Sequence, residues 1–390
     1  MLKKSTFLLL TIFLLLFLGG CDSDTKQSTD NKKLSSTKVD KETYALPNQM
    51  TWSVYDVGSG GYSEMSAIAN MLTGVSGTKI RMLPSATGIG RMIPLRDGTA
   101  SIGKVGDEIQ FAFEAMEEFV DPSWGPQNVR AVWAPTSSTG FAVRKDANIK
   151  KISDLKGKKV PWIVGNSSIN IKTEATLAFA GLTLDDVKLI ELTSYAGQSD
   201  ALVLGKIDVA SINPTASAMY EADSKVGIQW LDMDQNDTEG WKRVQEVASW
   251  FFPKSQSGIP GLEGEITLQG HGYLIASYED QDSETIYELL RAMDENFDQY
   301  KDAALNLVEY DTDKVLNEPR GIPFHEGTIK FLEEKGLWDD KKQAKNDQLV
   351  ERHLKLKEAW DKVVDESVEK GISNKDFPEY WLERKKELVQ

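Results

Sequence analysis

The chain has 390 residues, 40% hydrophobic and 27% charged, which is the balance of a soluble globular protein long enough for two cored domains. Its net charge of −15 and isoelectric point near 4.9 create a field that repels nucleic acid, so nucleic acid is excluded as a partner. A single cysteine, Cys21, excludes disulfides within the chain, and three histidines scattered far apart give no zinc spacing.

The N-terminus reads MLKKSTFLLLTIFLLLFLGGC. A short basic region at Lys3 and Lys4 precedes an apolar run from Phe7 to Leu18, then small residues and Cys21. That order is the order of a secretory signal, and the run is short for a span that needs ~20 apolar residues. Leu18-Gly19-Gly20-Cys21 resembles a bacterial lipobox. The resemblance implies a lipoprotein signal peptide over 1–20, lipid on Cys21, and an extracytoplasmic protein anchored to the cell membrane. An uncleaved anchor helix is the alternative. Residues 21–48 are rich in Ser, Thr, Lys and Asp and read as a flexible tether.

From Met50 the pattern alternates short apolar runs with amphipathic helices, which predicts an α/β fold with a mainly parallel sheet. Strands are expected at 51–55, 79–83 and 100–105. A helix follows each: one from Tyr62 stopped by Gly74, one around 89–95, and one over 108–118. Further strands are expected at 129–134 and 140–143. The pattern then restarts, with a strand at 160–164, a helix to Ala180, a strand at 187–192, a helix at 199–204, a strand at 206–212, and a helix to Glu221. Residues 230–270 lack clear periodicity. A strand at 272–276 precedes one long amphipathic helix over 286–307. Residues 340–372 carry an apolar stripe of Leu349, Leu356, Trp360 and Val363, which predicts a charged helix packed on the body or on a partner.

Three loops share one design. Each follows a strand, is rich in Gly, Ser, Thr or Asn, and opens a helix: Gly58-Ser59-Gly60-Gly61-Tyr62, Ser85 to Gly88 with Thr87, and Asn166-Ser167-Ser168. In open α/β sheets such loops gather at the carboxyl ends of the strands, where ligands bind. Backbone N–H groups at helix starts, aided by hydroxyls, hold a carboxylate without a full cation. Small residues also make tight turns, which is the structural alternative for any one loop. Asp107 opens a helix after Gly106, and Asn213 and Thr215 follow the strand at 206–212. Neither a P-loop nor a dinucleotide G-x-G-x-x-G spacing is met, and Glu64 stands where a phosphate would approach. No nucleophile elbow is present, so the chain is not expected to be an enzyme and no cofactor or metal is expected.

The segment from Lys151 to Thr215, with its D-L-K-G-K-K-V turn, A-G-L-T-L-D-D-V link and G-K-I-D-V-A strand, resembles the second lobe of periplasmic-binding-protein type II folds. The loop at 58–62, the stretch PSATGIGRMIPLRDGTASIG and Gly321-Ile322-Pro323-Phe324-His325-Glu326-Gly327 resemble the TAXI family, the solute-binding receptors of TRAP transporters. The resemblance implies two lobes, 49–139 with 248–338 and 140–247, joined by a hinge around a ligand cleft, with a charged helical extension over 339–390. It implies capture of a small organic anion, an amino, keto or dicarboxylic acid, and delivery to a TRAP-type membrane permease. A sensor of the same fold, signalling through a membrane partner, is the alternative. Arg91 is a candidate cation for a ligand carboxylate or else a surface arginine. Trp162 lines the cleft or the core. His325 is a turn residue or a ligand contact.

Overall fold

The computed structural model describes residues 44–57, 59–85, 87–195 and 197–389. The leader, Cys21, most of the expected tether and Gly58 lie outside these residues. The expected tether runs too far at 48, because Tyr44 is already buried. Its hydroxyl donates to Glu295 and accepts from Asn296, both at 2.8 Å. One aromatic anchors a segment whose polar composition conceals it.

The first half runs β1 (Gln49–Tyr55), α1 (Gly60–Ser76), β2 (Lys79–Ser85), α2 (Gly88–Arg96), β3 (Ile102–Val105), α3 (Glu108–Glu114) and β4 (Val129–Trp133). Then come β5 (Thr136–Arg144), β6 (Lys159–Ile163), α4 (Ser167–Phe179), β7 (Lys188–Leu192), α5 (Gly197–Val203), β8 (Ala210–Ile212) and α6 (Ser217–Val226). They are followed by β9 (Ile228–Trp230), α7 (Thr238–Val247), β10 (Phe252–Ser257) and β11 (Glu265–Gly272). The chain closes with β12 (Leu274–Tyr278), α8 (Ser283–Glu295), α9 (Glu326–Glu334), α10 (Asp340–Lys370) and α11 (Phe377–Leu388).

The fold is α/β, with mixed rather than mainly parallel sheets. One sheet has the order β2-β1-β3-β12-β4, a second has β10-β11-β5-β8 with β9 also on β5, and β6 pairs with β7. β1 is parallel to β2 and β3, but β12 is antiparallel to β3 and β4. The chain leaves the first sheet after β4 and re-enters it beside β4 as β12, so the two must run in opposite directions. The two crossings touch: the Tyr273 N–H donates to the Pro135 carbonyl at 2.9 Å. β10 and β11 hydrogen-bond within the second sheet, although the sequence groups 248–338 with the first lobe.

Local physics explains the shifted boundaries. α1 passes through Gly74 and ends at Gly77, whose φ of 82° only glycine adopts without strain. α3 stops at Glu114, not Glu118, because Ala115 and Glu117 take φ of 48° and 50°. The helix expected over 286–307 breaks after Glu295 into short 3-10 turns.

The C-terminal extension packs on the body. Leu356, Ala359, Trp360, Val363, Phe377 and Trp381 are buried in one cluster with Phe111, Phe113 and Phe119. Trp360 meets Phe377 and Trp381 edge-on at 5.2 and 4.7 Å. The Trp381 indole donates to the Ala115 carbonyl at 2.8 Å, meeting the turn that ends α3. Arg352 and Lys385 close on Glu114 at 2.6 and 2.7 Å.

His353 on α10 is buried against Phe113, and burial, with Arg130 and Lys357 adding to it, holds its pKa down at about 4. The unfolded chain takes up this proton near pH 6.5, before the folded chain does, so stability is present above pH 6.5 and lost as pH falls toward 4. The loss from His353 is on the order of 3 kcal/mol. Urea denaturation at pH 7 and pH 4.5 checks this: His353→Gln is expected to lose less stability over that interval than the wild type.

Candidate ligand-binding site

The three loops singled out in the sequence each end in a helix cap. Ser59 Oγ accepts from Tyr62 N–H at 3.1 Å at the start of α1. Thr87 Oγ1 accepts from Gly90 N–H at 3.1 Å at the start of α2. Asn166 Oδ1 accepts from Ile169 N–H at 3.2 Å at the start of α4. Each cap satisfies one donor, and the remaining first-turn N–H groups have no carbonyl inside their own helix. Those are the N–H groups of Gly60, Gly61, Gly88, Ile89, Ser167 and Ser168.

The glycines show how closely these starts approach other polar groups. A Cβ on Gly61 would overlap the Tyr273 hydroxyl and lie 3.2 Å from the Tyr55 ring. One on Gly88 would lie 2.9 Å from Glu118 Oε1. One on Gly106 would lie 2.5 Å from Tyr55 Oη, 2.8 Å from Glu108 Oε2 and 2.8 Å from Ser168 Oγ. Gly106 therefore sits where the end of β1, the start of α3 and the start of α4 meet.

Asp107 is the centre of this junction. Its carboxylate receives the Ser168 hydroxyl at 2.9 Å, the Trp250 indole N–H at 2.8 Å, and the ammonium of Lys172. Its backbone N–H donates back to Ser168 Oγ at 3.1 Å. Burial pulls the Lys172 ammonium below its ordinary value and Arg91 pushes the same way, while the Asp107 carboxylate against it works in the other direction.

Arg91 is neither a surface arginine nor a free cation. Its side chain is 1% exposed, Nε and Nη2 donate to Glu108 Oε1 at 2.8 and 2.7 Å, and Nη1 donates to the Ser85 carbonyl at 3.0 Å. Its guanidinium lies over the Tyr55 ring at 3.7 Å. Tyr62 packs against the apolar core beside β1 and α1. Trp162 is half-buried. His325 caps α9, its Nδ1 accepting from the Gly327 N–H at 3.1 Å, so it serves the turn. Asn213 Nδ2 donates to Ser137 Oγ at 2.9 Å, its N–H donates to the Tyr195 hydroxyl at 2.8 Å, and Thr215 bonds Asn213 Oδ1.

Several residues at the junction have no motif in the sequence. Lys104 on β3 is fully buried, donates to the Tyr273 carbonyl at 2.6 Å and pairs with Glu64 at 3.3 Å. The Tyr310 hydroxyl completes Glu64 at 2.6 Å. Burial pushes Lys104 down to about 8, with Glu64 opposing it. Glu118 is brought back toward Gly88 by the left-handed turns at Ala115 and Glu117. Lys172 had one usable signal: it is a lone cation among Ile, Thr and Ala on a buried helix. Among the described residues no three His, Cys, Asp or Glu side chains form a metal-binding group.

Removing Asp107 alone strands a buried ammonium. Asp107→Asn is expected to cost about 3–5 kcal/mol of stability. The double variant Asp107→Asn with Lys172→Met is expected to recover most of that loss, as read from urea midpoints at constant slope.

A comparison with family models matches residues 64–336 to the NMT1-like family. No curated protein matches the chain. Similar solved structures include the periplasmic aliphatic sulphonate binding protein SsuA from Escherichia coli, at 17% identity over 79% of this chain and 88% of that one, with a TM-score of 0.41. The alkanesulfonate-binding protein SsuA from Xanthomonas axonopodis pv. citri bound to MOPS is 16% identical over 76% and 96%, with a TM-score of 0.42. An ancestral arginine-binding protein bound to arginine is 16% identical over 66% and 97%, with a TM-score of 0.40. These structural likenesses are loose, but the family match spans most of the chain, and on that match the chain belongs to the NMT1-like family.

Proposed function

We propose that this protein is an extracytoplasmic solute-binding receptor. It is anchored through lipid on Cys21, closes two lobes around a small organic acid, and delivers that solute to a membrane permease of the TRAP type. The observation that carries this reading is the meeting of helix starts from both halves, α1 and α2 from one and α4 from the other, at a buried polar junction. The paired crossings at Pro135 and Tyr273 lie between the two sheets and suit a two-segment hinge. The resemblance of 58–62, 84–103 and 321–327 to TAXI receptors supports the permease type and the acidic solute.

In this mechanism the solute's carboxylate is held by neutral donors. Arg91, Lys104 and Lys172 are each matched by a carboxylate already, so first-turn N–H groups and the hydroxyls of Ser59, Thr87 and Ser167 do the binding. A cavity of about 30 Å³ beside Asp107, Trp250 and Gln110 has room for water and not for an organic acid. In this mechanism solute entry parts the halves, which breaks the link from Asp107 to Ser168 and Lys172. Contacts made only in the shut form then favour closure by their differential affinity.

A melting-temperature screen of amino, keto and dicarboxylic acids, followed by small-angle scattering with any stabilising compound, tests this. Saturating solute is expected to shrink the particle, and Ser167→Ala is expected to weaken binding roughly tenfold. Unchanged dimensions at saturation would contradict lobe closure.

A further inference from the structure

Asp107 stands where an aspartate ordinarily caps its own helix. It occupies the N-cap position of α3, yet its side chain takes no N–H of that helix. The carboxylate turns instead to the other half of the molecule. There it meets three donors: the Ser168 hydroxyl at 2.9 Å, the Trp250 indole N–H at 2.8 Å, and the Lys172 ammonium. The side chains of Asp107 and Lys172 are 2% and 5% exposed, so little of this bonding is shared with solvent. A cavity of about 30 Å³ borders Asp107 and Trp250.

The three donors hold together without Asp107. Ser168 and Lys172 lie one turn apart on α4, and the Lys172 ammonium also donates to the Ser168 carbonyl and Oγ at 3.1 and 3.0 Å. Trp250 adjoins Phe251, which is buried in one core with Ala175, Leu177 and Phe179 of α4. Asp107 belongs elsewhere: Val105 and Ile109 on either side of it are buried with Phe111 and Phe113. Ser167, at the start of α4, likewise hydrogen-bonds an acid of the first half, Glu118. A hydroxyl, an ammonium and an indole N–H converging on two carboxylate oxygens are what an organic acid requires of a receptor.

We propose that Ser168, Lys172 and Trp250 form a carboxylate site for the solute, and that Asp107 is a built-in surrogate that fills this site in the empty protein. This rests on the receptor reading and adds how its site is regulated. Lys172 is matched only while Asp107 is in place. When the halves part, its charge is free for the carboxylate of a solute, and Asp107 and the solute compete for one set of donors. The apparent dissociation constant is the intrinsic one divided by the fraction of molecules whose donors are free. An acid that makes no further contacts is refused, and only a solute that also engages the first half displaces the surrogate.

Calorimetry on the intact mature chain and its Asp107→Asn variant, with glutamate, 2-oxoglutarate and leucine as probes, tests this. Asparagine keeps the shape of the side chain but competes poorly for an ammonium, so the variant is expected to bind a probe roughly three- to tenfold more tightly than the wild type. Adding Lys172→Met to Asp107→Asn is expected to cancel that gain, and a gain that survives it overturns the site. A link that merely clasps the shut form gives the opposite sign, because its loss weakens the solute complex. Equal or weaker binding by Asp107→Asn that is folded by circular dichroism therefore overturns the surrogate and leaves the receptor reading in place. Hydrogen exchange on the wild type decides the matter without a variant. The Asp107 N–H donates to Ser168 Oγ at 3.1 Å. Saturating probe is expected to speed exchange of this amide, and unchanged or slower exchange overturns the surrogate. Wild type and variant that both bind none of the three probes contradict the receptor reading itself.

Discussion

A carboxylate taken out of water has to be answered by donors, and Asp107 draws its donors from beyond its own sheet. Ser168 and Lys172 come from α4, and Trp250 comes from the segment between α7 and β10. The attraction between such charges is several-fold stronger than in water, and breaking one partner away leaves the other unsolvated. That suits the link to act as a two-state element. In the proposed receptor cycle it is made when the halves are in contact, and broken and hydrated on both sides when they part. The close approach at Gly106 follows from it, because a side chain there would meet Ser168 Oγ of the other half at 2.8 Å.

The C-terminal extension bears on the same point from the other end of α3. Residues 106–108 of the junction stand at the start of this short helix, and Glu114 at its end is gripped by Arg352 and Lys385. Trp381 satisfies Ala115 directly after it. A seven-residue helix has little intrinsic stability. Its position is set by what holds its two ends, namely the buried network at one and the extension at the other. The charged tail is therefore part of the scaffold that positions Asp107 and Glu108.

Much of this architecture was legible in the sequence. Strand–loop–helix alternation located β1 to β3, β6 and β7 to within a few residues, and the Gly, Ser, Thr and Asn content of three loops found the caps Ser59, Thr87 and Asn166. Pairing direction was not legible, because β12 owes its antiparallel course to where the chain re-enters the first sheet. The hairpin of β10 and β11 was hidden by polar residues alternating on a half-exposed strand. The charged residues of the site misled in both directions. Arg91 reads as a ligand cation only while Glu108, 17 positions later, is unplaced. Lys104, Glu64 and Tyr310 meet through tertiary contacts that no local spacing encodes.

Native mass spectrometry of the mature chain, purified from its own cells with no solute added, tests the central claim most directly. The account predicts a bound organic compound of low mass that leaves on denaturation, and whose removal by dialysis lowers the melting temperature and is reversed on adding it back. A chain that emerges empty, and that takes up no low-mass compound when mixed with an extract of the same cells, would contradict it.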